Sequence, residues 1–250
     1  MSGHSKWHNI RLRKGKVDAQ RGALFTKLSK EIILAVRGGS PDPEANYRLK
    51  MAVEKARANN MPRENVARAI ARGGGSGNER EIEEIRYEGY GPHGLAVVAD
   101  AATDNRNRTA GELRFLFQKH KGALGETGSV GWMFDHLGIL EVDATGYDED
   151  AFLERALVDG VVDIEFGEPS ATMYCAIEAL RSVREALSAA GFTVRDAYLG
   201  VRAKTPIALE GERLGEALAF YDALEEHSDI VRVFINLDAS EAALEALAVG

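Results

Sequence analysis

The sequence has a single cysteine and no long apolar run. Cys175 cannot form an intrachain disulfide, and its apolar neighbours favour a small buried side chain over a reactive thiol. The first residues are polar, cationic and histidine-containing where a secretory signal needs an apolar core, and no stretch reaches the ~20 apolar residues of a membrane span. We therefore expect a cytoplasmic protein that has no membrane partner.

The residue patterns of common metal and nucleophile sites are also missing. The six histidines are scattered, the pair at His4 and His8 lacks a third ligand, and there is no HExxH motif. Asp100, Asp104 and Glu112 could meet near a strand end and hold Mg²⁺, as in a metal-dependent nuclease, although ordinary loop and helix-capping roles are the simpler explanation. We expect no cofactor, no metal, no catalytic residue and no enzymatic activity.

One glycine-rich segment, GETGSVG at 125–131, superficially resembles a phosphate-binding loop. It lacks the Gly-Lys-Ser/Thr ending of nucleotide-binding loops, and it leads into a predicted strand instead of a helix. We therefore expect a tight backbone turn at this position and no bound nucleotide.

Charge is distributed unevenly along the chain. The formal net charge is −8, yet residues 1–75 contain 16 Lys and Arg against 6 Asp and Glu, whereas residues 76–250 contain 15 against 33. A local cationic surface attracts polyanions through a field that decays within ~8 Å at physiological salt, so distant acidic residues do not cancel it. The cationic end predicts a nucleic-acid partner, and the acidic remainder suits protein partners.

Apolar spacing predicts a basic helical domain at the front of the chain. Residues 2–16 have no apolar periodicity, so we expect an extended arm that becomes ordered on a partner. A helix follows over 17–37, with Lys27 and Lys30 on its cationic side. The apolar face of that helix consists of Leu24, Phe25, Leu28, Ile32, Ala35 and Val36.

Two proline signals predict the remaining helices of this domain. Asp42 is a candidate N-cap for a helix that begins at Pro43 and ends near Ala58, and Pro62 opens a third helix that ends at Arg72. A glycine- and serine-rich linker follows.

Beyond the linker the spacing becomes strand-like. A β-α-β-β-α-β order, the ferredoxin-like pattern, follows over 135–204, and elements at 205–237 complete a second such set with 94–134. The sequence thus predicts an α+β fold of three domains, an N-terminal three-helix domain and two ferredoxin-like α+β domains, one inserted in the other. The predicted boundaries are 1–77 for the basic helical domain with its extended arm, 78–134 plus 205–238 for the discontinuous domain, 135–204 for the inserted domain and 239–250 for a tail.

The candidate nucleic-acid contacts are the front-end cations, one aromatic residue and two arginines at a helix start. Lys and Arg displace counterions from phosphates, and Arg can also grip phosphate oxygens bidentately. Trp7 either stacks on an exposed base or packs as an anchor, and the segment around Arg106 and Arg108 either meets a phosphate or caps its own helix. The predicted set is Lys6, Trp7, Arg11, Arg13, Lys14, Lys16, Arg21, Lys27, Lys30, Arg106 and Arg108.

Five long segments, in order, give the chain a resemblance to the YebC family. They read GHSKWHNIRLRKGKVDAQRGALFTKLSKEI, NNMPRENVARAIARG, YEGYGPHGLAVV, TDNRNRT and LGETGSVGWMFD. The similarity is dense to about Phe134 and diffuse after Leu140. Two positions depart from the pattern: His8 stands where a small residue is expected, and the last strand reads VFINLD where a polar or aromatic ending is expected.

The resemblance implies a three-domain α+β regulator without enzymatic activity. Members of the family are described as DNA-binding transcriptional regulators, whereas others, including a mitochondrial translational activator, act on ribosomes. We therefore expect a DNA-binding transcriptional regulator, with a ribosome-associated translation factor that binds rRNA or tRNA as the alternative. A purely protein-binding module is a further alternative, for which alanine at Arg13, Lys14 and Lys16 would leave nucleic-acid affinity unchanged.

Overall fold

A computed structural model describes residues 6, 7, 9, 10, 21–75 and 81–249, which form helices and mainly antiparallel sheets. The helices are α1 (Arg21–Arg37), α2 (Tyr47–Ala58), α3 (Arg63–Gly73), α4 (Arg106–Lys119), α5 (Glu149–Ala156), α6 (Leu180–Ala189), α7 (Gly211–Glu226) and α8 (Glu241–Val249). The strands are β1 (Glu83–Tyr90), β2 (Ala96–Thr103), β3 (Ala123–Leu124), β4 (Phe134–Asp143), β5 (Val161–Glu165), β6 (Ser170–Cys175), β7 (Val194–Ala203), β8 (Ile207–Ala208), β9 (Ile230–Ile235) and β10 (Leu237–Asp238). The predicted α+β class is confirmed. Within these described ranges, no helix has the length and apolar character that a membrane crossing requires.

The chain divides into two compact units, and each unit collects segments that are distant in the sequence. Unit I consists of Ala19–Trp132 and Gly215–Ile235. Unit II consists of Met1–Asp18, Met133–Leu214 and Asn236–Gly250. The finer division into three domains, one inserted in another, stays a prediction.

Unit I combines the first three helices with a four-stranded sheet. The strand order is β3-β1-β2-β9, and each neighbouring pair is antiparallel. Strand β9 lies beside β2, with Ile235 opposite Val97, although the strands and helices of unit II separate them in the sequence. The core of the helices includes Ile82 and Ala102, so the helices and the sheet share one apolar cluster.

Helix α1 is buried on more than one side. The predicted apolar face packs into the core, with Leu24 and Phe25 only partly buried, but Ile33 and Leu34 are buried as well. A side chain at Gly73 would approach Val36 to 2.7 Å, so α3 lies against α1 at a distance that only glycine permits.

Helix α2 begins four residues later than predicted, because a different residue caps it. Asn46 has extended backbone, and its side chain accepts a hydrogen bond from the N–H of Leu49. The same side chain donates to the carbonyl oxygens of Ala35 and Ser40. Through these hydrogen bonds the buried Asn46 both caps α2 and fixes it to α1. The predicted cap, Asp42, only stabilises the preceding turn, by accepting a hydrogen bond from the N–H of Glu44.

Unit II is built on a second antiparallel sheet of order β5-β6-β4-β7. Helices α5 and α6 contribute fully buried side chains, among them Phe152, Val183 and Leu187. Cys175 is buried, as predicted, and a side chain at Gly138 would meet its Sγ at 2.7 Å. The short strands β8 and β10 form a separate parallel pair.

The described residues of the predicted extended arm differ from the prediction. Lys6, Trp7, Asn9 and Ile10 have helical backbone, and the last three are buried. Asn9 donates its side-chain amide to the carbonyl oxygen of Ser170 at 2.7 Å within unit II. Apolar periodicity could not indicate this ordering because the polar stretch 2–16 contains only three large apolar residues, Trp7, Ile10 and Leu12.

Candidate nucleic-acid interface

Two predicted contact residues on α1 are occupied within unit I. The ammonium of Lys27 donates to the carbonyl oxygen of Glu225, and burial lowers the pKa of Lys27. Lys30 donates to the carbonyl oxygen of Ser228 at 3.0 Å and to Oδ1 of Asp229. Both side chains therefore bind the segment that includes the end of α7, and neither is available to a phosphate.

Asp229 is a buried carboxylate that joins four elements of unit I. Its side chain is only 2% exposed. Oδ2 accepts hydrogen bonds from Arg108 at 2.8 Å, from Thr109 at 2.7 Å and, more weakly, from Thr103 at 3.4 Å. Burial alone would raise the pKa of Asp229, but the donors from Lys30, Thr109 and Arg108 hold it well below its usual value. Arg108, a predicted phosphate contact, therefore neutralises an internal charge.

The segment before α4 caps its own helix. Asn105 accepts a hydrogen bond from the N–H of Arg108 at 3.1 Å, and Thr103 accepts one from the N–H of Asn105 at 2.9 Å. Arg106 is exposed and forms no ion pair with any residue that the structure describes. Of the two arginines predicted here, Arg106 is thus the one that can reach a phosphate.

The carboxylates considered as magnesium ligands are each engaged by a basic side chain. Asp100 forms a bidentate pair with Arg86, at 2.7 and 3.0 Å. Asp104 pairs with Arg108 at 3.0 Å, and Glu112 contacts Nε2 of His227, also at 3.0 Å. These partners already balance the charge that a divalent cation would supply.

A different trio, Glu112, His227 and Asp229, has ligand atoms within 4.8 Å of one another. Nδ1 of His227 accepts a hydrogen bond from the N–H of Asp229 at 3.1 Å, so in the neutral ring the proton is on Nε2 and points to Glu112. A metal would need that nitrogen deprotonated, and Asp229 is already bound to Lys30 and Arg108. The trio therefore does not suit a cation.

The glycine-rich loop at 125–131 binds an internal anion. Oε2 of Glu88 accepts hydrogen bonds from the N–H groups of Val130 at 2.9 Å and Gly131 at 2.6 Å, and the N–H of Gly128 contributes a third. Glu88 is 5% exposed; burial would raise its pKa, but these three donors lower it. The loop is a tight turn, as predicted, and its donors are used by the protein itself.

Three exposed arginines of α2 and α3 form no ion pair with a described residue, and none was among the predicted contacts. Arg57 lies near the end of α2, and Arg63 and Arg68 lie on α3. All three are exposed, and none forms an ion pair with any residue in the described ranges. We call Arg57, Arg63 and Arg68 the arginine face. Both arginines of α3 are exposed while Val66 and Ala69 of the same helix are buried, but the sequence carries no signal for the lack of a carboxylate partner.

The exposed side of α3 also contains Glu64, Ala67 and Ala71. Glu64 forms no ion pair with Arg63 or Arg68 among the described residues. By contrast, Arg48 pairs with Glu84 at 2.9 Å. The arginine face thus presents guanidinium groups that form no ion pair among the described residues, which suits a phosphate backbone.

The other predicted contacts have different outcomes. Lys6 donates to the carbonyl oxygen of Ala239 at 3.0 Å, and Trp7 is 8% exposed, in keeping with a packing anchor. Arg21 begins α1, but its side chain is not described. Arg11, Arg13, Lys14 and Lys16 lie outside the described residues.

Comparisons with known proteins cover almost the whole chain. Residues 5–76 match the TACO1/YebC protein N-terminal domain, and residues 82–237 match the TACO1/YebC second and third domain. A probable transcriptional regulatory protein of Chloroflexus aggregans is 48% identical over 98% of each chain, and one of Desulforamulus reducens is 47% identical over 95% of this chain and 99% of its own. A crystal structure of a conserved hypothetical protein from Aquifex aeolicus superimposes with a TM-score of 0.85, at 41% identity, covering 90% of this chain and 93% of the other.

Proposed function

Because the chain belongs to the TACO1/YebC family, we propose that it is a DNA-binding transcriptional regulator that grips the phosphate backbone with its arginine face. The observation that carries the proposal is that Arg57, Arg63 and Arg68 are exposed and have no carboxylate partner among the described residues. The name of the Chloroflexus and Desulforamulus relatives supports a role in transcription. We further propose that it acts in the cytoplasm.

A non-enzymatic role is part of this proposal. The three carboxylates considered as magnesium ligands each contact an arginine or histidine, as Asp100 does with Arg86. A regulator needs affinity and no chemical step, and phosphate contacts supply affinity without reading sequence.

A ribosome-associated translation factor that binds rRNA or tRNA is the second candidate. The observation that favours it is the separation of charge, with the excess of Lys and Arg confined to residues 1–75. A basic end can enter a cleft lined by RNA while the acidic remainder stays outside. The arginine face would serve both functions, because DNA and RNA present the same phosphates.

The test is a double variant with a matched control. Arg63→Ala/Arg68→Ala removes two charges from α3, and Arg181→Ala/Arg213→Ala removes two from exposed positions of unit II. Fluorescence anisotropy with labelled duplex DNA and with structured RNA, measured over a range of salt concentrations, gives affinity and its salt dependence. For the α3 variant we expect weaker binding to duplex DNA and a smaller log–log salt slope, by about 0.9 for each phosphate that the protein no longer neutralises.

The control variant has the same net charge as the α3 variant but keeps Arg63 and Arg68, so it should bind like the wild type. Equal reductions in affinity in both variants would point to a nonspecific effect of net charge, and unchanged binding by the α3 variant would contradict the proposal. Crosslinking of the intact protein in cells, followed by sequencing of the attached nucleic acid, then separates promoter DNA from ribosomal RNA.

A further inference from the structure

The outer side of α4 carries a large aromatic residue that the fold does not use. The helix buries Thr109, Leu113 and Phe117 on one side. Phe115 lies on the opposite side and is 68% exposed. The ring of Phe115 is therefore available to a partner.

Gly111, one helical turn before Phe115, also has no structural reason to be glycine. It lies inside α4, where glycine destabilises a helix relative to alanine. A Cβ atom added at Gly111 would have no neighbour within 4 Å, so packing does not exclude a side chain. Residues four apart share one helix face, and helical side chains lean towards the preceding turn. The missing side chain at Gly111 therefore leaves room beside the ring of Phe115.

The surroundings of Phe115 are cationic. Arg114 and Lys119 are exposed, and neither forms an ion pair with any described residue. The acidic residue of the same helix, Glu112, is bound to His227 at 3.0 Å. An apolar ring flanked by uncompensated positive charge is complementary to a base attached to phosphates, and is a poor match for a cationic or purely apolar protein surface.

From this arrangement we infer that the outer face of α4 is a stacking site for an unpaired nucleobase, with Phe115 as the platform and Arg114 and Lys119 as contacts to the flanking phosphates. The inference rests on the proposed function and specifies the ligand further. Bases inside a duplex are stacked on each other, so a flat aromatic platform requires a single strand, a loop or a bulge. Gly111 allows the base to slide over the ring.

The experiment compares three substitutions at Phe115 in the full chain. The probes are a labelled adenine-rich single-stranded RNA of 12 nucleotides and a labelled blunt DNA duplex, each measured by anisotropy. Phe115→Ala should weaken binding to the single strand by about 5- to 160-fold, the range expected when one base no longer stacks, and should leave duplex binding within twofold. Phe115→Leu should resemble alanine because it has no π face, and Phe115→Trp should retain wild-type affinity.

A control variant tests whether removal of any exposed apolar side chain lowers the affinity for nucleic acid. Leu157, in unit II, is 71% exposed, and Leu157→Ala should change neither affinity. Wild-type affinity of Phe115→Ala for the single strand would overturn the inference. So would wild-type affinity of Phe115→Leu, because an aliphatic contact would then suffice and the site would fit a protein partner better.

The two proposals fail in distinguishable ways. If Arg63→Ala/Arg68→Ala weakens binding but Phe115→Ala does not, the proposed function stands and the stacking site is wrong. If the wild-type protein binds neither probe, both are wrong.

Discussion

Replacing Asp229 by asparagine tests whether the buried carboxylate holds unit I together. Arg108 is 42% exposed, so removal of its charged partner should cost little. Thr109 keeps its hydrogen bond to Thr103 at 2.7 Å. Lys30, at 13% exposure, loses its charged partner and keeps neutral acceptors, among them the carbonyl oxygen of Ser228. Breaking a buried pair typically costs 3–5 kcal/mol, and the remaining partners place this variant near the lower end, about 3 kcal/mol.

The assay is denaturant unfolding at pH 7, combined with hydrogen exchange of peptides from α4 and β9 because the chain has two units. The pKa of Asp229 is depressed in the folded state, so its contribution is present above the unfolded pKa of about 4 and is lost as pH falls through the lower folded value. Asp229→Asn should therefore flatten the loss of stability on acidification.

A less buried pair provides the control for this experiment. Asp100 and Arg86 are 18% and 32% exposed, so Asp100→Asn should cost about 1 kcal/mol or less. A cost below about 1 kcal/mol for Asp229→Asn at pH 7, or an unchanged acid dependence, would refute the role assigned to Asp229.

Three further predictions concern single substitutions. Burial and the nearby Asp196 raise the pKa of Glu141 to about 7, so the free energy of unfolding of unit II should fall by up to about 3 kcal/mol as pH rises from about 4.5 to 7. Glu141→Gln should abolish this loss and raise the melting temperature at pH 8. Equal melting temperatures of the variant and the wild type at pH 8 would contradict the prediction. Glu88→Gln should destabilise the loop by about 1–3 kcal/mol and speed amide exchange at Val130, whereas unchanged protection would argue against the role of the carboxylate. Gly111→Ala should raise the stability of α4 by about 0.5–1 kcal/mol while weakening single-strand RNA binding; unaltered binding would show that the space beside Phe115 is not used.

Local patterns predicted much of the helical part of unit I but not which surface stays free. The 3.6-residue spacing of α1 correctly identified Leu28 and Ile32 as core residues. It placed Lys27 and Lys30 on a solvent side because periodicity describes one helix, and the segment that receives these lysines comes some 200 residues later in the chain. A cationic pattern alone therefore cannot tell an internal counterion from a phosphate contact.

Local sequence patterns also failed to identify the important charged residues of unit I, because their partners come from distant segments. Glu88 and Asp229 occur in ordinary strand and loop sequence, and their importance comes from donors supplied by distant segments. The arginine face was missed for the opposite reason, since Arg57 and Arg63 differ from a paired arginine such as Arg48 in lacking a partner among the described residues. Absence of a partner is a tertiary property with no sequence signal.

The glycine-rich loop at 125–131 has a chemical consequence of its own. Its backbone donors form a complete anion receptor whose guest, the Glu88 carboxylate, is covalently part of the chain. In Glu88→Ala the guest would be gone while the receptor remained, and millimolar formate or acetate should then restore the melting temperature that the substitution lowers. In the intact protein, a free phosphate could enter this loop only by displacing the Glu88 carboxylate. Because that carboxylate is covalently attached to the chain, its local concentration stays high and it competes effectively with a free anion.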